Sequence, residues 1–107
     1  MTWTVETLNA TVDEELEDLP DDLRARFVHI VGLIEALGLE KVGEPFVEHL
    51  EGPIWEIRMK ARSGIARALY VTARGKRVIV VRAFVKKTQK TPRREIDLAL
   101  KRAKEVK

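Results

Sequence analysis

The sequence contains no cysteine, only two histidines and no long apolar run. The absence of cysteine excludes disulfides, thiol nucleophiles and sulfur-ligated metal sites. No stretch approaches the roughly 20 apolar residues that a membrane-spanning helix needs, so we predict no membrane partner. The N-terminus lacks a basic segment followed by an apolar one, so we expect no signal peptide.

Motifs that bind metals or nucleotide phosphates are missing as well. No His-x-x-x-His pair or paired-acid motif occurs, and the acidic residues cluster with the spacing of a solvated helix surface. There is no glycine-rich phosphate loop. His29 and His49 lie far along the chain from the basic residues, so we expect both on the surface. We therefore predict no metal site and no cofactor.

Charge is divided unevenly between the two halves of the chain. Residues 1–52 hold three Lys/Arg and 13 Asp/Glu, whereas residues 53–107 hold 17 Lys/Arg and four Asp/Glu. The net charges of −10 and +13 add to the overall +3. Such a division indicates either a basic surface for an anionic partner or two halves that attract each other within the fold.

The first half predicts one short strand followed by two helices. Residues 3–8 alternate as a strand, and Thr11 begins a capping box that starts a helix. Pro20 ends this helix and starts a second one, whose apolar stripe runs to a stop at Gly38. The alternative is one helix that is kinked at Pro20. Residues 39–52 contain Gly43, Pro45 and Gly52, and we interpret them as a loop.

In the second half of the chain, apolar and polar residues begin to alternate with a period of two residues. Residues 54–60 predict a strand that places Glu56 and Arg58 on the face opposite its apolar residues. Residues 65–72 and 78–85 are apolar on both faces, which is typical of strands in the middle of a sheet. Tight turns join the three as an antiparallel meander, with the first strand expected at an edge.

A Thr91-Pro92 step then predicts the start of a helix that runs to the C-terminus. We therefore predict one domain, residues 1–107, of the α+β class. An antiparallel sheet, made of the N-terminal strand and the C-terminal meander, packs with the N-terminal helix pair and the C-terminal helix. The predicted order is β-α-α-β-β-β-α.

Cations concentrate where the last predicted strand ends. Residues 77–92 form an apolar strand, a basic turn and a helix start, and the turn carries Lys86, Lys87 and Lys90. A rigid strand that ends in cations is suited to binding RNA phosphates. The alternative is a turn that is merely solvated.

Four motifs of the second half resemble those of a known family. They are residues 53–58 (PIWEIR), 67–70 (RALY), 84–92 (FVKKTQKTP) and 95–102 (EIDLALKR). In this order they resemble the phage-derived, HigB-like branch of the RelE/ParE toxin superfamily. The resemblance extends over nearly the whole chain, because the acidic helix pair fits the family order too.

The resemblance implies the toxin of a type II toxin–antitoxin module. Such a toxin acts in the cytoplasm and binds a cognate antitoxin, expected to be a helix-turn-helix protein from the adjacent gene. HigB-like and RelE-like members are ribosome-dependent, metal-independent endoribonucleases that cleave mRNA and inhibit translation. ParE-like members share the fold but poison DNA gyrase, so the fold alone does not choose the target. A catalytically weak basic binding module is a further alternative.

Carried over by position, the resemblance implies catalytic roles for Arg67, Arg58, Lys86 and Lys87. The basic residues expected to bind RNA phosphates beside them are Lys60, Arg62, Arg82 and Lys90.

RNA cleavage without a metal needs a base for the 2′-hydroxyl, charge stabilisation on the phosphate and help for the leaving 5′-oxygen. Arg67 is the first choice for charge stabilisation, because an arginine fork binds phosphate oxygens bidentately. Its alternative is a salt bridge to the acidic helices. Neighbouring cations lower the pKa of a lysine, so Lys86 or Lys87 could serve as acid or base, although phosphate binding alone is the preferred interpretation. Glu56 is a base or, preferably, a salt-bridge partner of Arg58.

Two aromatic residues, Trp55 and Phe84, could stack on an RNA base. Packing in the core is the preferred interpretation for both.

Overall fold

The computed structural model describes residues 2–107. In this part of the chain the strands are β1 (Thr4–Thr7), β2 (Val47–Glu51), β3 (Ile54–Ala61), β4 (Gly64–Ala73) and β5 (Arg77–Lys86). The α-helices are α1 (Ala10–Glu17), α2 (Asp21–Leu37) and α3 (Arg93–Ala103), and a short 3-10 helix spans Leu39–Lys41. The predicted α+β class is confirmed, and the order β-α-α-β-β-β-β-α contains one strand more than predicted.

The strands form one sheet in the order β1-β5-β4-β3-β2. The two strands that are apolar on both faces, β4 and β5, lie in the interior of the sheet as predicted. The prediction of an antiparallel sheet is wrong at one place, because β1 pairs with β5 in parallel, with Thr4 opposite Arg77. Alternation of side chains is the same in parallel and antiparallel strands, so the sequence pattern does not reveal this direction.

The additional strand β2 corrects the interpretation of residues 39–52 as a loop. It pairs antiparallel with β3, with Val47 opposite Ile57. The two edges of the sheet are therefore β1 and β2. The prediction that β3 forms an edge is wrong. A strand of five residues between Gly43, Pro45 and Gly52 is too short for its alternation to stand out from the flanking turn residues.

Helix starts differ from the predicted caps by one or two residues. The N-cap of α1 is Asn9, whose side-chain oxygen accepts a hydrogen bond from the backbone N–H of Val12 at 3.1 Å, so the prediction of Thr11 is wrong. At α3 the cap position is Pro92, and the hydroxyl of Thr91 donates instead to a strand carboxylate. The predicted stop of α2 at Gly38 is confirmed, since this glycine adopts φ 93°.

The sheet separates two apolar cores. One face packs against α1 and α2 around Ile57 and Tyr70, and the other packs against α3 around Leu69, Val81 and Ala99. The 11 residues of α3 span about 16 Å, whereas the ten-residue strands β4 and β5 span about 33 Å. The helix therefore leaves part of its face of the sheet uncovered.

Among the described residues, no helix combines the length and the apolar composition that crossing a bilayer requires.

Candidate functional site

An open, positively charged cleft lies on the part of the sheet that α3 leaves uncovered. Its volume is about 460 Å³, and it is lined by Arg58, Ile65, Arg67, Lys86, Lys87, Thr88 and Gln89. We call it the cationic cleft. Strands β3, β4 and β5 and the segment after β5 all contribute to it, so it is assembled by the tertiary fold rather than by one motif.

The register of the strands brings these cations together. Arg58 of β3 lies opposite Arg67 of β4, and Lys86 of β5 lies opposite Ile65 of β4. Residues paired in this way project from the same face of a sheet. The structure therefore places the four residues for which the resemblance implies catalytic roles in one cleft, with Lys87 on the segment that follows β5.

A β-bulge in β5 decides on which face Lys86 lies. Tyr70 pairs with Val80 whereas Leu69 pairs with Arg82, so β5 contains one extra residue at this point. Under strict alternation Lys86 would share the face of Val80, which packs against α1 and α2. The extra residue shifts the alternation and turns Lys86 towards the cleft.

Arg67 forms the buried floor of the cleft. The residue is only 4% exposed, and its Nη1 donates to the carbonyl of Ala66 at 3.0 Å. Its Nε lies 3.3 Å from Oε1 of Glu56 but has no aligned hydrogen-bond acceptor within the described residues. An ion pair with Glu56 thus compensates the charge of Arg67, although this buried N–H makes no hydrogen bond of its own.

Glu56 is the buried anion at the centre of this arrangement. It is 3% exposed, and its carboxylate lies 3.3 Å from Nε of Arg67 and 3.8 Å from Nε of Arg58. It also accepts a hydrogen bond from the hydroxyl of Thr91 at 3.0 Å. The preferred interpretation of Glu56 as a salt-bridge partner of Arg58 is confirmed, whereas Arg67 pairs with this neighbouring strand and not with the acidic helices.

Burial and charge change the proton affinities of two groups in the cleft. Burial lowers the pKa of Lys86 below its ordinary value of 10.5, and the nearby charge of Arg67 lowers it further. Burial also lowers the pKa of Arg67, although Glu56 opposes the change, and a guanidinium stays charged at neutral pH. The cleft thus contains four cations, which are opposed by the carboxylates of Glu56 and Glu48, and Glu48 binds Arg58 at 2.9 Å.

Comparison with known proteins identifies the family and the fold of the chain. Residues 14–104 match the model of the family described as "Phage derived protein Gp49-like". The chain belongs to this Gp49-like family of RelE-like toxins. No curated protein matches it. A solved structure similar to this Gp49-like protein is the archaeal RelE-RelB complex from Pyrococcus horikoshii OT3, with a TM-score of 0.56 and 25% identity. The match covers 79% of the Gp49-like chain and 96% of the archaeal chain.

The cations predicted to bind phosphate lie in different places in the Gp49-like protein. Lys60 and Arg62 are exposed at the end of β3 and in the turn after it. Lys90 is exposed and lines a shallow groove at the start of α3 rather than the cationic cleft. The structure therefore brings none of these three into the cleft itself, although Lys60 lines a groove that adjoins it.

Arg82 is also outside the cleft. Its guanidinium contacts Glu15 of α1 at 2.9 Å and Glu95 of α3 at 2.7 Å, and its side chain is 23% exposed. The two carboxylates neutralise this cation and hold it between the two helices. Arg82 is thus placed to join α1, β5 and α3 rather than to bind a phosphate in the cleft.

The two aromatic candidates differ in exposure. Phe84 is buried in the core under α3, in agreement with the preferred interpretation. Trp55 is 40% exposed, so the preference for core packing is wrong for this residue. Its ring contacts His49 edge to face at 4.9 Å, and His49 lies in β2 rather than in a loop.

Three side chains near the cleft were not indicated by the sequence pattern. Thr91 supports Glu56 through its hydroxyl, and Arg26 and His29 of α2 line the groove that adjoins the cleft. Arg26 and His29 lie in the acidic half of the chain, where no local basic motif marks them. Within residues 2–107, no group of three or more His, Asp or Glu side chains is placed to hold a metal ion.

Proposed function

We propose that this Gp49-like toxin is a ribosome-dependent mRNA endoribonuclease that cleaves without a metal ion and thereby inhibits translation. The observation that carries this proposal is the cationic cleft, in which Arg67 lies buried beneath an open site and Lys86 stands beside it with a lowered pKa. A dianionic transition state is best stabilised by charged donors that are already fixed in position.

The proposed reaction begins with attack of a 2′-hydroxyl oxygen on the adjacent phosphorus. The new oxygen–phosphorus bond forms as the bond to the 5′-oxygen breaks, which leaves a 2′,3′-cyclic phosphate and a 5′-hydroxyl. Arg67 and Arg58 stabilise the charge on the phosphate oxygens, and Lys87 binds the RNA backbone. In the proposed step Lys86 donates a proton to the leaving 5′-oxygen, since its lowered pKa makes it a stronger acid than an ordinary lysine, and the proton of the 2′-hydroxyl passes to water.

A cognate antitoxin is the proposed protein partner. The archaeal neighbour is a RelE-RelB complex, and its RelE-like fold is shared by this chain. We propose that the antitoxin is a helix-turn-helix protein from the adjacent gene. It would neutralise the toxin by covering the cationic cleft, because an antitoxin that supplies acidic side chains would compete with RNA for the same cations.

The test is cleavage of a translated mRNA by the purified protein in the presence of ribosomes. Lys86→Gln is expected to reduce the cleavage rate about 100-fold or more, the magnitude typical of a lost acid–base group. Arg67→Lys is expected to reduce it by a similar factor, because it keeps a charge but removes the fork. The control is Lys101→Gln, which removes one exposed charge on α3.

The ends of the products separate the proposed chemistry from the alternatives. Attack by the 2′-hydroxyl predicts 5′-hydroxyl ends, which a kinase can label without prior phosphatase treatment. Products with 5′-phosphate ends would contradict the proposed mechanism. If mRNA stays intact while DNA supercoiling by gyrase is inhibited, the protein is a gyrase poison and the nuclease proposal fails.

A further inference from the structure

A second groove adjoins the cationic cleft on the side of α2. It has a volume of about 330 Å³ and shares Arg58, Ile65 and Arg67 with the lining of the cleft. Its remaining walls come from α2, from the segment before β2 and from the end of β3. Because they share these residues, the groove and the cleft are continuous with each other. We call the second groove the α2 groove.

The α2 groove exists because β2 is shorter than β3. The last backbone contact between the two runs from the N–H of Arg58 to the carbonyl of Phe46 at 2.8 Å. Beyond it, the end of β3 has no strand partner on that side within the described residues. Helix α2 passes there and contributes the buried Ile30 to the floor, with the exposed Arg26 and His29 beside it.

Two cations of the α2 groove have no ion-pair partner among residues 2–107. Arg26 on α2 and Lys60 on β3 are both exposed and make no contact with a carboxylate. The neighbouring Arg24, by contrast, is held by Asp21 at 2.6 Å. Unpaired cations on two walls of one groove form a site for an anion, because no internal salt bridge must be broken for an anion to bind there.

The α2 groove also offers flat surfaces next to these charges. Phe46 is half-buried and His29 is exposed, and both residues line the groove. Aromatic rings beside cations are the combination with which proteins bind single-stranded nucleic acid, the rings contacting bases and the cations contacting phosphates.

We propose that the α2 groove is a subsite for the single-stranded RNA that flanks the scissile phosphate. Arg26 and Lys60 bind a backbone phosphate there, and Phe46 packs against a base of the same segment. The proposal rests on the proposed function in one respect, namely that the ligand of the cleft is RNA. It extends the RNA-binding surface from the basic half of the chain to a helix of the acidic half.

The test measures binding of a fluorescent single-stranded RNA of about ten nucleotides, which is within the site sizes of single-strand binding proteins. Every 2′-hydroxyl carries a methyl group (2′-O-methyl RNA), which blocks the attacking oxygen so that no cleavage occurs. The variant Arg26→Gln/Lys60→Gln is expected to bind about tenfold more weakly, the size of one lost charged contact. The slope of log affinity against log salt concentration is expected to become shallower by about 0.7 for each lost phosphate contact.

Two further variants give the test its controls. Arg74→Gln/Lys101→Gln removes the same charge from exposed positions outside the groove and the cleft, and it is expected to bind nearly as wild type does. Arg26→Lys in the wild-type background keeps the charge and is expected to retain most of the affinity. Equal losses of affinity and slope in both double variants would overturn the subsite, because net charge alone would then explain the effect.

Failure of the subsite and failure of the proposed function give different results. If Arg26→Gln/Lys60→Gln binds RNA as wild type does while Lys86→Gln loses mRNA cleavage, the subsite is refuted and the nuclease stands. If wild type never cleaves mRNA but its RNA binding depends on Arg26 and Lys60 and not on the control pair, the nuclease is refuted and the subsite stands.

Discussion

Glu56 is the residue on which the geometry of the cleft depends most directly. Its carboxylate is buried between Arg67 and Arg58 and accepts a hydrogen bond from Thr91. A buried arginine requires a compensating charge, since its transfer out of water is costly. Glu56 thus allows Arg67 to remain charged and fixed beneath the cleft, where a flexible surface arginine would have to be ordered on binding.

We predict that Glu56→Gln lowers the free energy of unfolding by about 3 kcal/mol, because it leaves the buried charge of Arg67 without its partner. Glu48→Gln is the matched control, since it removes a half-exposed carboxylate from Arg58 and is expected to cost less than about 1 kcal/mol. Urea denaturation of both variants measures the difference. Similar midpoints for the two would show that Glu56 is not required to compensate Arg67.

The lowered pKa of Lys86 predicts a specific dependence of RNA binding on pH. Only the charged amine attracts phosphate, and a lowered pKa means that this charge is lost at a lower pH than the ordinary 10.5. Affinity for the cleavage-resistant RNA should therefore decline as pH rises towards that value. Lys86→Arg should shift the decline to higher pH, because arginine stays charged. An unchanged pH profile in this variant would show that Lys86 does not carry the effect.

At the scale of the element, short signals at the ends of helices and strands decide where the functional residues lie. Helix α1 starts at Ala10, shortly after the end of β1, because Asn9 and not Thr11 caps it. The single extra residue in β5 has a larger effect, since it turns Lys86 from the face of the α1–α2 core to the face of the cleft. The length of α3 relative to β4 and β5 leaves that face open.

The capping of α1 can be tested with two neighbouring substitutions. Asn9→Ala removes the acceptor for the N–H of Val12 and should lower the free energy of unfolding by about 1 kcal/mol. Thr11→Ala, on an exposed position inside the helix, should change it by no more than about 0.5 kcal/mol. Thermal or urea unfolding gives both values. A larger cost for Thr11→Ala than for Asn9→Ala would assign the cap to Thr11 after all.

At the scale of the whole molecule, ion pairs between the two halves of the chain explain much of the uneven charge. Acids of the first half bind arginines of the second in five such pairs: Glu6 with Arg77, Glu15 with Arg82, Glu15 with Arg102, Glu48 with Arg58, and Glu51 with Arg93. The interpretation that the two halves attract each other is therefore confirmed. A further part of the positive charge lines the cleft and the α2 groove, and other cations, such as Arg74 and Lys101, lie elsewhere on the surface.

These contacts predict a loss of stability in acid. Hydrogen bonds from Arg77, Arg93 and the Ser63 backbone lower the pKa values of Glu6, Glu51 and Asp22 below their ordinary values. The unfolded chain then binds protons at a higher pH than the folded protein does. The stabilisation is present above the ordinary values of 4.5 and 3.8 and is lost as pH falls through the lower values of the folded state.

Urea unfolding between pH 7 and pH 2 is the measurement, at roughly constant ionic strength because exposed pairs are screened by salt. The variant Glu6→Gln/Glu51→Gln should show a shallower decline of the midpoint below about pH 5 than wild type does. Glu40→Gln/Glu44→Gln removes two exposed acids that form no ion pair in the described structure, and it should leave the slope unchanged. Identical slopes in wild type and Glu6→Gln/Glu51→Gln would contradict the assignment.

The sequence by itself determined the class of the fold, the interior position of the two strands that are apolar on both faces, and the motifs of the family. These follow from local signals: the periods of 3.6 and 2 residues, the two-sided apolar strands β4 and β5, and the stop of α2 at Gly38. Arg58 and Arg67, which lie on neighbouring strands of the meander, also meet in the cleft. Neighbouring strands of a meander carry nearby sequence segments, so their proximity follows from short connections.

Only the tertiary structure decided the remaining features of the site. The parallel pairing of β1, the strand β2, the bulge in β5 and the burial of Glu56 depend on contacts between distant segments, which leave no local period in the sequence. The same holds for Arg82, whose partners Glu15 and Glu95 lie on two separate helices. It holds as well for Arg26, which reaches the α2 groove because α2 packs beside the unpaired end of β3.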